Sequence, residues 1–273
     1  MVKIRNAKSN TPRLSIVTIN LNNGAGLQKT LASIQAQSWR NFESVIIDGG
    51  STDESVAIIN NFASNSKCNI SKWVSEKDNG LYHAQNKGIR AARGEYLLFL
   101  NSGDYLCSET ILENLSPEKW KSEIIYGNVL VENGKRRTAT RMPSKISAEH
   151  LYFSTLMHPA TFIRRNLFKK VGMYREDFKI CSDYYFFVKA LVRHKIVPEY
   201  RMDIISVFDG GGLSSSVKYR QIHHRERQQT IIEFFTPEML NEVIIQIQRR
   251  TNSFRFAILA LPRYFYRHVF KRG

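Results

Sequence analysis

The sequence predicts an α/β protein: a Rossmann-like, mostly parallel central sheet flanked by helices, with a basic helical extension at the C-terminus. Two observations carry that expectation. Over residues 13–105, short β-branched apolar runs alternate with stretches of helical periodicity, the pattern of a parallel sheet covered on both faces. After Glu242 the chain has no acidic residue but carries Arg249, Arg250, Arg255, Arg263, Arg267, Lys271 and Arg272.

The elements follow in order. "LSIVTIN" (14–20) is a short β-branched strand. "GLQKTLASIQAQS" (26–38) has Leu27, Leu31 and Ile34 at helical spacing. "FESVIIDGG" (42–50) is a second strand ending at Asp48 and two glycines. "STDESVAIINNFA" (51–63) opens with the capping types Ser51, Thr52 and Asp53, then shows an apolar stripe of Val56, Ile59 and Phe62. A third strand lies near "SKWVSE" (71–76), a helix over 80–94 ends at Gly94, and "EYLLFLN" (95–101) is the fourth strand. Beyond 105 the pattern loosens. "EIIYGNVLVENGKRRTATR" (123–141) reads as a hairpin turning at Asn133-Gly134. "HPATFIRRNLFKKVG" (158–172) mixes a strand with a short helix, and "CSDYYFFVKALVRH" (181–194) reads as a helix. "DGGGLSSS" (209–216) is a flexible loop.

The chain of 273 residues, 42% hydrophobic, is long enough for one large domain with an appendage. Cys68, Cys107 and Cys181 are scattered, with no CxxC pair, so neither a disulfide framework nor a zinc site is expected and a reducing compartment fits. The polar, basic N-terminus is not a secretory signal, and no apolar run approaches the ~20 residues of a membrane span. A net charge of +16 calls for an anionic partner. No nucleic-acid-binding motif accompanies it, so nucleic acid is not expected.

Ligands of such sheets bind beyond the carboxyl ends of the strands. Asp48 and Asp104 both stand there, so both are expected to face one crevice. Asp104, after Asn101, Ser102 and Gly103, is suited to hold a hard divalent cation gripping a diphosphate, with Gly103 allowing close backbone approach. The same tetrapeptide also reads as a plain strand-to-turn exit. Asp48 can accept hydrogen bonds from a base or ribose, and Asp53 reads as a helix cap or first-turn acid. "NNGAGLQK" (22–29) holds two glycines of a dinucleotide fingerprint, but Lys29 stands where the third belongs. Asp183 is a candidate general base, or simply a first-turn acid. His158 is a candidate ligand or substrate contact, or an ordinary core histidine. The last twenty residues interleave aromatic and basic side chains, with Pro262 among them, as in a segment lying on an anionic membrane, or in a helix docked on the protein itself.

Taken in order, "LSIVTIN", "VIIDGGSTDES", "SEKDNGLYHAQNKGIRAARGEYLLFLNSGD", "HPATFIRR" and a later "SD" resemble the family 2 glycosyltransferases, over roughly residues 13–215. The likeness is greatest to bacterial members that build surface polysaccharides. It implies a GT-A fold with a glycosyltransferase domain over 1–215: a nucleotide-sugar half at about 13–105 and an acceptor half at about 106–215. Residues 216–273 then form the helical, membrane-associating extension. The resemblance implies that Thr18, Asn20, Asp48, Asp78, Asn86, Asn101 and Gly103 serve the nucleotide sugar, with Asp48 on the base. It makes Asp104 the ligand of Mn²⁺ or Mg²⁺, Asp183 the catalytic base, and His158 an acceptor-side residue. Many relatives have an acidic cluster at 101–104, where this chain keeps only Asp104, which puts the metal dependence in question. The implied reaction is inverting transfer of a sugar, from a UDP-sugar above others, to a glycan or polyprenyl-linked acceptor at the inner face of the cytoplasmic membrane. The rival readings are an NAD(P)-dependent oxidoreductase and a basic polyanion-binding protein.

Overall fold

A computed structural model describes residues 11–65, 69–212 and 217–251. Its first half is β1 (Leu14–Asn20), α1 (Gly24–Gln35), β2 (Phe42–Asp48), α2 (Ser55–Ser64), β3 (Ile70–Ser75), α3 (Leu81–Ala91) and β4 (Tyr96–Phe99). Here the strands are parallel, as expected. β1 and β2 pair in register from Leu14↔Phe42 to Asn20↔Asp48, with β3 outside β2 and β4 outside β1. Side chains alternate along each strand. Val17, Ile19, Val45, Ile47, Leu97 and Phe99 join one apolar cluster; Ile16, Ile46, Leu98 and Leu100 join another on the opposite face. Neither face of these strands meets water, so even their polar side chains, Ser15, Thr18, Glu43 and Ser44, are buried. Asn23 caps α1, its side chain accepting from Gly26 N at 3.1 Å. α2 starts later than its capping residues predicted and has no side-chain cap. Asp53 instead accepts from Ser55 N at 3.0 Å and from Gly24 N at 2.9 Å, tying the starts of two helices together.

The second half is β5 (Tyr105–Leu106), α4 (Ile111–Asn114), β6 (Ile124–Asn133), β7 (Arg136–Thr140), α5 (Ala148–Phe153), β8 (Thr161–Arg164), α6 (Leu167–Val171), α7 (Ser182–Val188), β9 (Glu199–Asp209), α8 (Arg220–Phe234) and α9 (Pro237–Thr251). A π-helical turn, Lys189–Arg193, continues α7. Among the described residues nine strands form one sheet, ordered β3-β2-β1-β4-β8-β6-β9-β5, with β7 on β6. Beyond β4 it is mixed: β4–β8, β8–β6, β6–β7 and β9–β5 are antiparallel, and β6–β9 is parallel. The mostly parallel pairing expected from the sequence holds for β1 to β4, and beyond them for β6–β9 alone among the described residues. The β6–β7 hairpin turns where expected, with Gly134 at φ +60, and a two-residue hairpin can only pair antiparallel.

α8 and α9 are not a detached appendage. Ile231, Phe234, Leu240, Val243 and Ile247 are buried in the same apolar cluster as β1, α3 and α7. The aromatic tail over 254–273, Cys68, and residues 213–216 of the glycine-serine loop lie outside the described residues. No helix among the described residues is long and apolar enough to cross a membrane.

Candidate active site

The sheet topology decides which side chains meet. β4 runs out toward Asp104, and β8 comes back beside it antiparallel, with Leu98 opposite Phe162. His158 opens the 3-10 turn that feeds β8, so it arrives beside the residues leaving β4. α7 then brings Asp183, its second residue, to the same place. His158 lies between the two acids: Nε2 is 3.6 Å from Asp104 Oδ2 and Nδ1 is 3.7 Å from Asp183 Oδ2. All three line one cavity of about 630 Å³.

Burial works against a charged His158 ring, but Asp104 and Asp183 outweigh it and push its pKa up to about 9. The two carboxylates therefore favour the protonated ring. Asn101 Nδ2 stands 3.2 Å from Nε2. Two donors cannot bond, so a protonated ring goes with the Asn101 carboxamide turned to present its oxygen.

The sequence-predicted residues divide into two groups. Asn20, Asp78, Asn101, Asp104, His158 and Asp183 line the cavity; Thr18, Asp48, Asn86 and Gly103 do not. Asp48 is fully buried at the end of β2. Its carboxylate accepts from Asn20 Nδ2 (2.7 Å), Ser51 N (2.9 Å), Ser51 Oγ (2.6 Å) and Ser75 Oγ (2.6 Å). Burial alone would raise its pKa, yet these donors hold it below the usual carboxylate value. Asp48 thus reaches the cavity through Asn20. Asn86 braces the chain: its Nδ2 donates to Tyr174 O (2.8 Å) and Glu176 Oε1 (2.8 Å), and its Oδ1 accepts from Tyr174 N (3.1 Å). Thr18 is buried within β1. Gly103, at φ +108, donates from N to Thr30 Oγ1 at 3.0 Å, and a Cβ there would lie 2.8 Å from Asp209 Oδ2.

Several lining residues were not anticipated. Gln85 points into the cavity where its neighbour Asn86 does not. Asp209, at the end of β9, donates from N to Asp104 Oδ1 at 2.9 Å. Tyr82 donates to Ile180 O at 2.5 Å and lies 3.1 Å from Asp183 Oδ1. Burial and the nearby Asp183 raise its pKa well above the tyrosine norm, so it stays a donor. Tyr219, His223 and Arg227 bring α8 and the turn before it into the wall. The boundary expected at 215/216 therefore runs through the cavity. Only the acid beside glycines in "FDGGG" hinted at Asp209.

Three residues of the cavity lining carry unpartnered buried oxygens. Asp104 Oδ2, Asn20 Oδ1 and Gln85 Oε1 are buried with no hydrogen-bond partner within the protein. No group of three His, Cys, Asp or Glu forms a closed metal centre among the described residues. A few hard oxygens beside open space suit Mg²⁺ or Mn²⁺, which keep waters and share substrate phosphates. They do not suit a structural zinc. Lys29, which broke the dinucleotide fingerprint, pairs with Glu132 at 2.5 Å and sits over the Tyr105 ring, Nζ 4.2 Å from its centroid. α1 therefore uses that position to reach β6 and β5, not to approach a pyrophosphate.

The family model described as "Glycosyl transferase family 2" matches residues 15–193. A "PGL/p-HBAD biosynthesis glycosyltransferase" of Mycobacterium bovis is 32% identical over 213 residues, 76% of this chain and 80% of the relative. An uncharacterised glycosyltransferase of Mycobacterium tuberculosis is 33% identical over 67% of this chain and 70% of its own length. Among solved structures, Staphylococcus aureus TarS 1-349 with UDP-GlcNAc aligns with TM-score 0.66 at 18% identity, covering 88% of this chain and 73% of that one. A Pyrobaculum calidifontis mannosyltransferase with GDP-Man and Mn²⁺ gives TM-score 0.66 at 14% identity, covering 92% and 73%. At those identities the two structures speak to the fold, and the fold is of the GT-A type.

Proposed function

The chain belongs to glycosyl transferase family 2, and from that premise we propose that it is an inverting enzyme of surface polysaccharide or glycolipid assembly. It takes a sugar from a nucleoside diphosphate, UDP above others, and places it on a hydroxyl of a glycan or polyprenyl-linked acceptor. The observation that carries this reading is the convergence of Asp104 and Asp183 on His158 in one cavity.

In this reading Asp183 accepts the proton of the acceptor hydroxyl as that oxygen bonds to the anomeric carbon. The bond from that carbon to the diphosphate oxygen breaks with its electron pair leaving on the diphosphate. General-base assistance of this kind is worth roughly 10²–10⁴ in rate. Asn20, Asp78, Gln85 and Asn101 bind the donor, and Asp48 acts on it by fixing Asn20. Asp104, with Asp209 beside it, would hold a divalent cation, which when bound neutralises charge on the leaving diphosphate. His158 stands between the two acids, with Nδ1 facing Asp183 and Nε2 facing Asp104, and so orients Asp183 in the cavity. The UDP-GlcNAc and GDP-Man complexes of the two structural neighbours support a nucleotide-sugar donor. The basic aromatic tail supports attachment to the inner face of the cytoplasmic membrane, where lipid-linked acceptors lie. Removing residues 254–273 should abolish co-sedimentation with anionic vesicles.

The test is a thermal-shift screen of nucleotide sugars with and without Mn²⁺. A ligand at 100 times its Kd stabilises the folded state by about 2.7 kcal/mol, roughly 5–10 °C for a chain of this size. A flat response across UDP- and GDP-sugars would overturn the reading. Asp183→Asn should keep the shift and lose transfer by about 10²–10⁴.

A further inference from the structure

We propose that Glu226 and Arg227, adjacent on α8, are a positioning pair that fixes Asp183 and His158 relative to each other; this rests on the reading of Asp183 as the base. Glu226 is 3% exposed. Its carboxylate accepts three successive backbone amides: Lys179 N at 2.7 Å, Ile180 N at 3.0 Å and Cys181 N at 2.9 Å. Those residues lead directly into α7 and Asp183. Tyr82 grips the same segment from the other side through Ile180 O. Arg227 does the converse at the histidine's side. Its guanidinium donates to Leu151 O (3.2 Å), Tyr152 O (2.9 Å) and Ser154 O (3.1 Å), closing the carbonyl end of α5 four residues ahead of His158. It also stacks on Tyr184, Cζ 3.9 Å from the ring centroid.

The charges match the ends they hold. A carboxylate meets free amides, and a guanidinium meets free carbonyls. An ionised carboxylate is expensive to bury, and apolar packing would stabilise α8 as well or better. What a charge adds is direction: bonds of fixed length to named atoms in the two segments that carry the acid and the histidine. One turn of α8 thereby sets the separation across which proton transfer takes place, where a displacement of about 1 Å can cost 10²-fold in rate.

The test uses Glu226→Gln, which keeps shape but replaces one acceptor oxygen by a donor, and Glu226→Asp, which keeps the charge. Both are read by release of nucleoside diphosphate from the nucleotide sugar that gives the largest thermal shift, with water as acceptor. The expected result for Glu226→Gln is kcat lowered 10- to 100-fold, KM for the donor within twofold of wild type, and a displaced acidic limb of the pH–kcat profile, with partial recovery in Glu226→Asp. Wild-type kcat and pH profile in Glu226→Gln would overturn the proposal, as would kcat and KM changing together in proportion to a fall in Tm. Hydrogen exchange of the wild-type protein needs no variant: slow exchange at Lys179, Ile180 and Cys181 is expected, and exchange as fast as an exposed loop overturns the clamp. Asp183→Asn run alongside separates the two readings, since full activity there removes the base and leaves the exchange result standing.

Discussion

Asp48→Asn is the most informative single substitution away from the reacting groups. The native carboxylate holds four donors, two on each oxygen: Asn20 and the Ser51 hydroxyl on Oδ1, the Ser51 amide and the Ser75 hydroxyl on Oδ2. A carboxamide keeps one oxygen. If its nitrogen takes the Oδ2 place, the Ser51 amide cannot turn away and is left facing a donor. If it takes the Oδ1 place, Asn20 must flip and the Ser51 hydroxyl must rotate. Either way one or two charge-assisted bonds go, each worth about 1.5–3 kcal/mol. The expected loss at pH 7 is about 2–5 kcal/mol, a large share of the 5–15 kcal/mol typical of a whole domain. The pH dependence has a definite sign. The folded-state pKa of Asp48 lies below its ordinary value, so its contribution is present above about pH 3.9 and fades as the pH falls through the lowered value. Urea unfolding of both proteins should give midpoints far apart at pH 7 that converge below pH 4. A difference under 0.5 kcal/mol at pH 7, or one undiminished in acid, would refute the network as a stabilising element.

Gly88 lies where α3 crosses β1, and a Cβ there would stand 2.3 Å from Val17 Cγ1. Gly88→Val should therefore destabilise by about 1–3 kcal/mol, read as a lower Tm, despite valine's better helix propensity. Tyr82→Phe removes the hydroxyl that bonds Ile180 O; about 0.5–1.5 kcal/mol of stability and a larger fraction of kcat should go, measured by urea unfolding and by nucleotide release. Lys29→Ala should change stability by less than about 1 kcal/mol, because its pair with Glu132 is half exposed and screened by salt; a loss above 2 kcal/mol in 0.15 M salt would contradict that.

Much of the parallel half was legible because its strands are buried on both faces, which leaves β-branched stretches such as "SIVTI" and the unbroken apolar run "YLLFL". Their carboxyl ends located Asp48 and Asp104 by the same logic, and the family resemblance supplied Asn20. Residues whose placement depends on distant pairing were not legible. Asp209 meets Asp104 only because β9 lies against β5, and no local pattern announces a pairing across a hundred residues. Helix phase is a finer obstacle. Gln85 and Asn86 differ by about 100° around α3, enough that the first lines the cavity and the second braces Tyr174. Glu226 and Arg227 sit in "HHRERQQ", a charge run that reads as a solvated helix face, although both are engaged with backbone.

The antiparallel return of β8 has a consequence for how the molecule is made. Translation proceeds from the N-terminus, and domains generally fold as they emerge. A nascent chain that has passed Asp104 already holds the strands β1 to β4, but not the histidine or the second acid. Those come with β8 and α7, and α8, which ties both segments down, follows after β9. Ribosomal products cut short before His158 would carry Asp104 without the histidine or the second acid, so the order in which the strands are threaded keeps the three groups apart until late in synthesis.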